Sequence, residues 1–205
     1  AKTIEFGARG RLSNGVSWNA AIYDATNHDD ILFVNASSAS GAGYFTNVSK
    51  TKRQGVDLGL AFDINKASMN INYGFLLARY GSEINLPNEV NSSASSDLIS
   101  VKKGDYLPNM PKHHLKIRSD YKVSPRFKVG ATVSAYTKSY MMGNENQEHD
   151  SSTGSGLQGE TPGYAILNMD SEYNFKDGWN LYFKAINVLD QAYYTGGRLA
   201  ESSVQ

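Results

Sequence analysis

Phe127-Lys-Val-Gly-Ala-Thr-Val-Ser-Ala-Tyr136 alternates without a break. Phe127, Val129, Ala131, Val133 and Ala135 share one parity, while Lys128, Gly130, Thr132 and Ser134 share the other. Successive side chains of a strand point to opposite sides, so this period predicts a strand with one apolar and one polar face. Working outward, Ala67, Met69, Ile71, Tyr73, Phe75 and Leu77 repeat the pattern against Ser68, Asn70, Asn72 and Gly74. Leu115, Ile117, Tyr121 and Val123 do so against His114, Lys116, Arg118, Asp120 and Lys122. Eight such segments are read, near residues 2–12, 16–25, 46–64, 67–80, 112–123, 126–140, 163–175 and 178–190. No stretch holds a helical period, and the fold class is all-β.

The connections decide what kind of sheet this is. Ser13-Asn14-Gly15, Asn65-Lys66, Ser124-Pro125 and Lys176-Asp177-Gly178 are tight turns by their residue chemistry. Between them lie long polar stretches at 26–45, 81–111 and 141–162. Tight and long connections alternate, as they do in an antiparallel up-and-down barrel that spans an outer membrane, with short periplasmic turns and long external loops. Trp18, Phe62, Tyr121, Phe127, Tyr173, Phe175 and Trp179 sit on the apolar parity beside the tight turns, where an interfacial girdle belongs. Tyr140 and Tyr164 are placed in the opposite girdle. The other parity carries Asp57, Asp63, Lys116, Arg118, Asp120, Asn168, Asp170, Glu172 and Lys184. A tight soluble core cannot bury so many charges cheaply, whereas a wet or plugged lumen accepts them.

Whole-chain averages hide this division. The 205 residues carry 20 Lys+Arg against 20 Asp+Glu, no Cys, and a mean hydropathy of −0.45. The balance of charge argues against a nucleic-acid partner, and the lack of Cys excludes disulfides and thiolate sites. The longest near-apolar run, Tyr73 to Ala78, is far shorter than the ~20 residues of a membrane helix.

Several pieces together resemble the TonB-dependent receptors, the plugged outer-membrane transporters of Gram-negative bacteria. They are Gly43-Tyr-Phe-Thr-Asn47, Thr51-Lys-Arg-Gln-Gly-Val-Asp57, Leu107-Pro-Asn-Met-Pro-Lys-His113, Pro162-Gly-Tyr164 with Asn168-Met-Asp170, and Asn187-Val-Leu-Asp-Gln-Ala-Tyr-Tyr194. Each has a local reason as well. Gly55 relieves crowding where a long strand enters the wall, and Pro108 and Pro111 belong where pairing begins. Asn187 to Asp190 marks a bulge or loop base. The resemblance implies that residues 1–205 are one partial domain: the C-terminal part of the barrel, without plug domain or last strand. It also implies uptake of a scarce nutrient, a ferric siderophore or other metal chelate first among them. The expected partners are that ligand, outer-membrane lipid, and TonB-type energy coupling through a plug absent from this chain. The expected location is the bacterial outer membrane. Two open sheet edges cannot face lipid unpaired, so the chain is not expected to insert alone. The alternative is a complete eight-stranded barrel with a structural or adhesion role, which requires the first and last strands to pair.

No catalytic set, metal site or cofactor is assigned. Gly154-Ser-Gly-Leu-Gln-Gly159 has the letters of a dinucleotide fingerprint without the flanking strand and helix. A nucleophile elbow does not occur, and no Ser–His spacing supports a hydrolase. His113 and His114 are adjacent on a strand and must face opposite ways. His28-Asp29-Asp30 and Glu145 to Asp150 carry oxygen and imidazole donors suited to a hard cation or a ligand, although polar loop tips look the same. Ligand contacts are placed in the loops at His28, Asp30, Tyr44, Tyr80, Asn144, Glu145 and His149. Three Asn-x-Ser sequons at Asn35, Asn47 and Asn91 carry little meaning in a bacterial envelope protein.

Overall fold

A computed structural model describes residues 1–12, 15–35, 43–152 and 159–199. Its strands are β1 (Lys2–Leu12), β2 (Val16–Asn35), β3 (Gly43–Ile64), β4 (Ala67–Tyr80), β5 (Ile84–Pro87), β6 (Leu98–Val101), β7 (His113–Ser124), β8 (Phe127–Tyr136), β9 (Ser139–Tyr140), β10 (Glu160–Thr161), β11 (Tyr164–Asn174) and β12 (Asn180–Ala185). Eight of them form one sheet in the order β1-β2-β3-β4-β7-β8-β11-β12, and every pairing in it is antiparallel. The eight segments read from the sequence are these eight strands. Part of the Ser13-Asn14-Gly15 turn, most of the 154–159 glycine run and residues 200–205 lie outside the described residues.

The register shows why period two matters. Gly10, Trp18, Leu60, Ile71, Ile117, Val133 and Leu167 form one row straight across seven strands. The row one residue away is Arg11, Ser17, Ala61, Asn70, Arg118, Thr132 and Asn168. The first row is apolar and the second polar, on opposite faces of a single layer. Among the described residues no second layer covers the apolar face: Phe6, Ile22, Leu58, Phe183 and Trp179 are all exposed. A soluble sheet buries such a face, so its solvent must be lipid. β1 and β12 each have one neighbour and do not pair with each other, so the eight strands are an open sheet, which does not favour the complete small barrel.

Three boundaries differ from the sequence reading. β2 runs on to Asn35 and β3 starts at Gly43, so most of the supposed 26–45 loop is a paired ribbon. Thr26 to Asp30 is polar on both faces, which removes the alternation that marks a strand inside a wall. A membrane strand needs about 9–11 residues, and these have 20 and 22, so the ribbon stands well beyond the bilayer. Within 81–111, Ile84-Asn-Leu-Pro87 and Leu98-Ile-Ser-Val101 form the hairpin β5–β6. Finally, β12 stops at Ala185; Asn187 (φ 52°) turns the chain away while the Val188 N–H still donates to the Leu167 carbonyl at 2.8 Å.

Candidate functional site

The polar face and the loops above it bring many of the chain's charged and polar side chains into one setting. Low on that face, Arg118 donates from Nε to Asp120 at 3.0 Å, from Nη2 to Asp170 at 2.9 Å and from Nη1 to Thr132 at 3.2 Å. Lys128 lies 3.0 Å from Asp120. Arg118 reaches Asp170 across β8 because Gly130 stands between them; a Cβ there would fall 2.6 Å from Arg118 Cζ and 2.8 Å from Asp170 Oδ2. The four charges sum to zero and are half-exposed, a wall that tolerates a wet lumen without itself calling for an ion.

Higher up, the loops fold back over the same face. Thr51, Ala78 and Tyr80 continue its parity, and Val48, Leu86, Ile99, Val101 and Leu107 bury themselves against them. Each such aliphatic chain contributes roughly 1.5–3 kcal/mol on burial, enough to hold β5–β6 down on the wall. A second, polar lock joins the two long loops. Asn88 and Asn91 both donate to the Gly143 carbonyl, at 2.9 and 2.8 Å, and Asn91 also donates to Asn146 at 3.1 Å. Asn146 donates to Ser93 Oγ at 2.7 Å, and the Ser92 N–H donates to His149 Nδ1 at 3.0 Å. Asn144 donates to the Gly159 carbonyl at 2.9 Å and accepts from the His149 N–H at 3.1 Å. Glu145 is 4 % exposed and accepts one neighbouring N–H, that of Gly143, at 2.9 Å. Burial pushes its carboxyl above the usual range, because ionising it there costs desolvation.

The sequence-selected ligand residues separate into two groups. Tyr80, Asn144, Glu145 and His149 come together in this loop cluster, with all but His149 buried. His28, Asp30 and Tyr44 do not join them; like Tyr80, which ends β4, they are on strands rather than in a loop, the first two on β2 and the third on β3. Asp30 is held by Asn27 at 3.3 Å, by Arg53 at 3.2 Å and by the Thr51 hydroxyl. Asp29 (φ 54°) turns the ribbon there, so that Asp30 faces the same way as Thr51. His28 and Tyr44 are exposed. Among the described residues no group of three or more His, Asp or Glu side chains converges on a metal-sized site.

Trp18, Phe62, Tyr121, Phe127, Tyr173, Phe175 and Trp179 lie on the apolar side near the tight turns, with Phe127, Tyr173 and Phe175 in ring contact at 6.2 and 4.7 Å. Tyr164 does not belong with an outer girdle. It pairs with Tyr136 on the inner row that holds His114, because its parity on β11 matches Asp170 rather than Tyr173. His113 and His114 face opposite ways as expected: His113 Nδ1 meets the Tyr73 hydroxyl at 2.7 Å on the outer face, and His114 lies across Gly74 on the inner one. The residues missed were Asn88, Asn91 and Asn146. Their only signal was the density of Asn in two loops.

With this geometry in view, comparison with known proteins is decisive for the family. The profile described as TonB dependent receptor-like, beta-barrel, matches residues 1–188. The chain belongs to that family. It is 24% identical over 200 residues to the siderophore receptor PiuA of Acinetobacter baumannii, covering 95% of this chain and 24% of that protein. The PiuA crystal structure superposes with a TM-score of 0.68 at 22% identity, over 97% of this chain and 25% of PiuA. The ferric yersiniabactin uptake receptor FyuA of Yersinia pestis gives 0.68 at 18% identity, over 98% of this chain and 26% of FyuA. The copper transporter OprC gives 0.64 at 16% identity, over 97% and 26%. The chain thus spans about a quarter of the length of the relatives it matches. Members of this family are receptors of the outer membrane, and the open sheet is a wall segment of such a barrel.

Proposed function

We propose that this chain supplies the C-terminal wall and external loops of a receptor that imports a scarce nutrient, a ferric siderophore or related metal chelate. The observation that carries the reading is the match of the family profile to residues 1–188, on a sheet whose polar face is roofed by interlocked loops. The siderophore and ferric-chelate names of the relatives support the substrate class. Energy would come from TonB acting on a plug domain, and the chain itself performs no covalent chemistry. The ligand is held by loops and upper lumen. His28, Asp30, Tyr44 and His149 offer it polar groups, while Tyr80, Asn144 and Glu145 shape the roof from within.

The test is uptake of radiolabelled iron by cells carrying the full-length receptor, using ferric catecholate, ferric hydroxamate and ferric citrate, with a copper chelate in parallel. One chelate should enter saturably, and entry should stop when the proton-motive force is collapsed. Equal uptake of every chelate in cells lacking the gene overturns the proposal.

A further inference from the structure

The outer face carries a cationic feature that neither the wall nor the loops explain. Arg79 keeps the outward parity of Tyr73, Phe75 and Leu77, and pairs across to Tyr106. Its guanidinium carbon lies 4.9 Å from the centre of the Tyr106 ring, and its Nη2 donates to the Tyr106 hydroxyl at 3.0 Å. Lys112 Nζ lies 3.8 Å from the same ring centre. One phenol ring therefore serves two cations. Hydrogen bonds to the Tyr106 hydroxyl, from Lys112 first and then Arg79, outweigh its desolvation and hold it below its usual pKa.

Neither cation forms an ion pair among the described residues. Arg79 Nε is buried and has no hydrogen-bond partner. Next to them is a cavity of about 260 Å³ lined by Tyr106, Lys112, His113, Lys138, Tyr140 and Glu160. Lys138 is neutralised there by Glu160 at 2.8 Å, and Tyr140 stacks on Tyr106 at 6.1 Å. Arg79 and Lys112 thus leave a net charge of two beside the cavity, with an orphaned donor between apolar and aromatic groups. Holding two cations close together and partly desolvated is unfavourable unless an anion completes the site.

Depth along the wall identifies what kind of anion. Arg79 lies twelve residues beyond the Ala67 end of β4. At about 3.3 Å per residue and a tilt near 45° that is a rise of roughly 28 Å. The apolar band of such a barrel is about 25 Å tall. Arg79 therefore stands at the external headgroup level, on the side that faces lipid, and Lys112, whose backbone pairs with Leu76 below, carries its ammonium up to the same Tyr106 ring. A guanidinium fork beside an ammonium matches the oxygens of a phosphate.

We propose that Arg79, Lys112 and the Tyr106 ring form a binding site on the outer wall for the phosphate headgroup of a membrane lipid. The cavity beside Tyr140 takes the first part of the attached chain or glycerol. The site is separate from the nutrient path, because it opens on the opposite face of the sheet.

Native mass spectrometry of the detergent-purified protein tests this with phosphatidic acid, phosphatidylcholine and inorganic phosphate as probes. Phosphatidic acid should be retained at concentrations about tenfold or more below those needed for phosphatidylcholine. Arg79→Gln and Lys112→Gln should each raise that concentration about tenfold. Lys66→Gln, at the opposite rim, should stay within about twofold of the parent. Lys112 lies outside the strands, so Lys112→Gln preserves the test even if Arg79→Gln fails to fold. Unchanged binding in Lys112→Gln, or equal retention of the two lipids, overturns the proposal. Displacement by inorganic phosphate at matching concentration also overturns it, assigning a free-anion site instead.

Discussion

The wall and its roof are built from the same chain by different means. In the wall, each residue's environment follows from its parity: Ile117 faces lipid and Arg118 faces the lumen because they are neighbours on β7. Backbone ladders hold the strands, and side chains mainly choose the solvent on each face. In the roof there is little ladder, and side chains do the joining. Asn91 reaches Gly143 and Asn146, 52 and 55 positions away in sequence. The wall should therefore resist most single changes that respect its faces, and the roof should depend on particular atoms.

The largest expected effect is in the wall, at the point where it has no slack. A Cβ on Gly55 would fall 2.5 Å from the Phe75 carbonyl oxygen and would also strike the Tyr23 ring that lies across the glycine. Gly55→Leu should cost about 3 kcal/mol or more, since backbone on the neighbouring strand has to move. Urea unfolding of the receptor in micelles, followed by tryptophan fluorescence, measures it. Ala131→Leu, on the lipid face between Ser119 and Met169, is the matched control and should be near neutral. If the control costs as much as Gly55→Leu, the wall is not ruled by parity.

Next is the roof's hinge atom. Asn91→Ala leaves the Asn146 amide oxygen without one of its donors and halves the donors on the buried Gly143 carbonyl. The expected loss is about 1–3 kcal/mol, and it should be local. Hydrogen exchange should quicken across 84–101 and 141–150 while β7 and β8 keep their protection. Equal quickening in the strands would show that roof and wall open together.

This difference also explains what was legible in the sequence. Phe127 to Tyr136 could be read alone, because period two is a local pattern and its meaning does not depend on distant residues. The outer half of β2 could not. Thr26, Asn27, His28, Asp29 and Asp30 show no alternation in hydropathy, because both faces of the ribbon stand outside the bilayer, and its pairing with β3 is visible only in the fold. Tyr80, Asn144, Glu145 and His149 were selected as loop residues, and the structure does bring them together. That three are buried followed from nothing in their neighbours: Glu145 sits in an acidic stretch that reads as solvated, and its burial comes from the packing of 84–101 against 141–149. Asn88, Asn91 and Asn146 were overlooked for the same reason. A hydrogen-bond partner fifty residues away leaves no periodicity.

Glu145 gives the smallest effect and the finest test of the roof. Desolvation raises its carboxyl pKa in the folded roof, while in the opened loop it returns to an ordinary value of about 4.3. The folded state therefore binds the proton more tightly than the open one. It follows that the contribution to roof stability is fully present below about pH 4.3 and is lost as pH rises through the raised value. Glu145→Gln keeps an oxygen for the Gly143 N–H and removes the charge. At neutral pH it should stabilise the roof, because the desolvation cost of the buried charge is gone. It should also flatten the pH dependence of hydrogen exchange in 141–150 as pH rises from about 4.3 through the raised value. If exchange in the parent slows as pH rises, after correction for the intrinsic rate, then Glu145 is paired in its ionised form and the roof has a donor that the loop hydrogen bonds do not include. If the parent and Glu145→Gln run parallel, the carboxylate is reached by water, and the loops part more readily than Asn88 and Asn91 would allow.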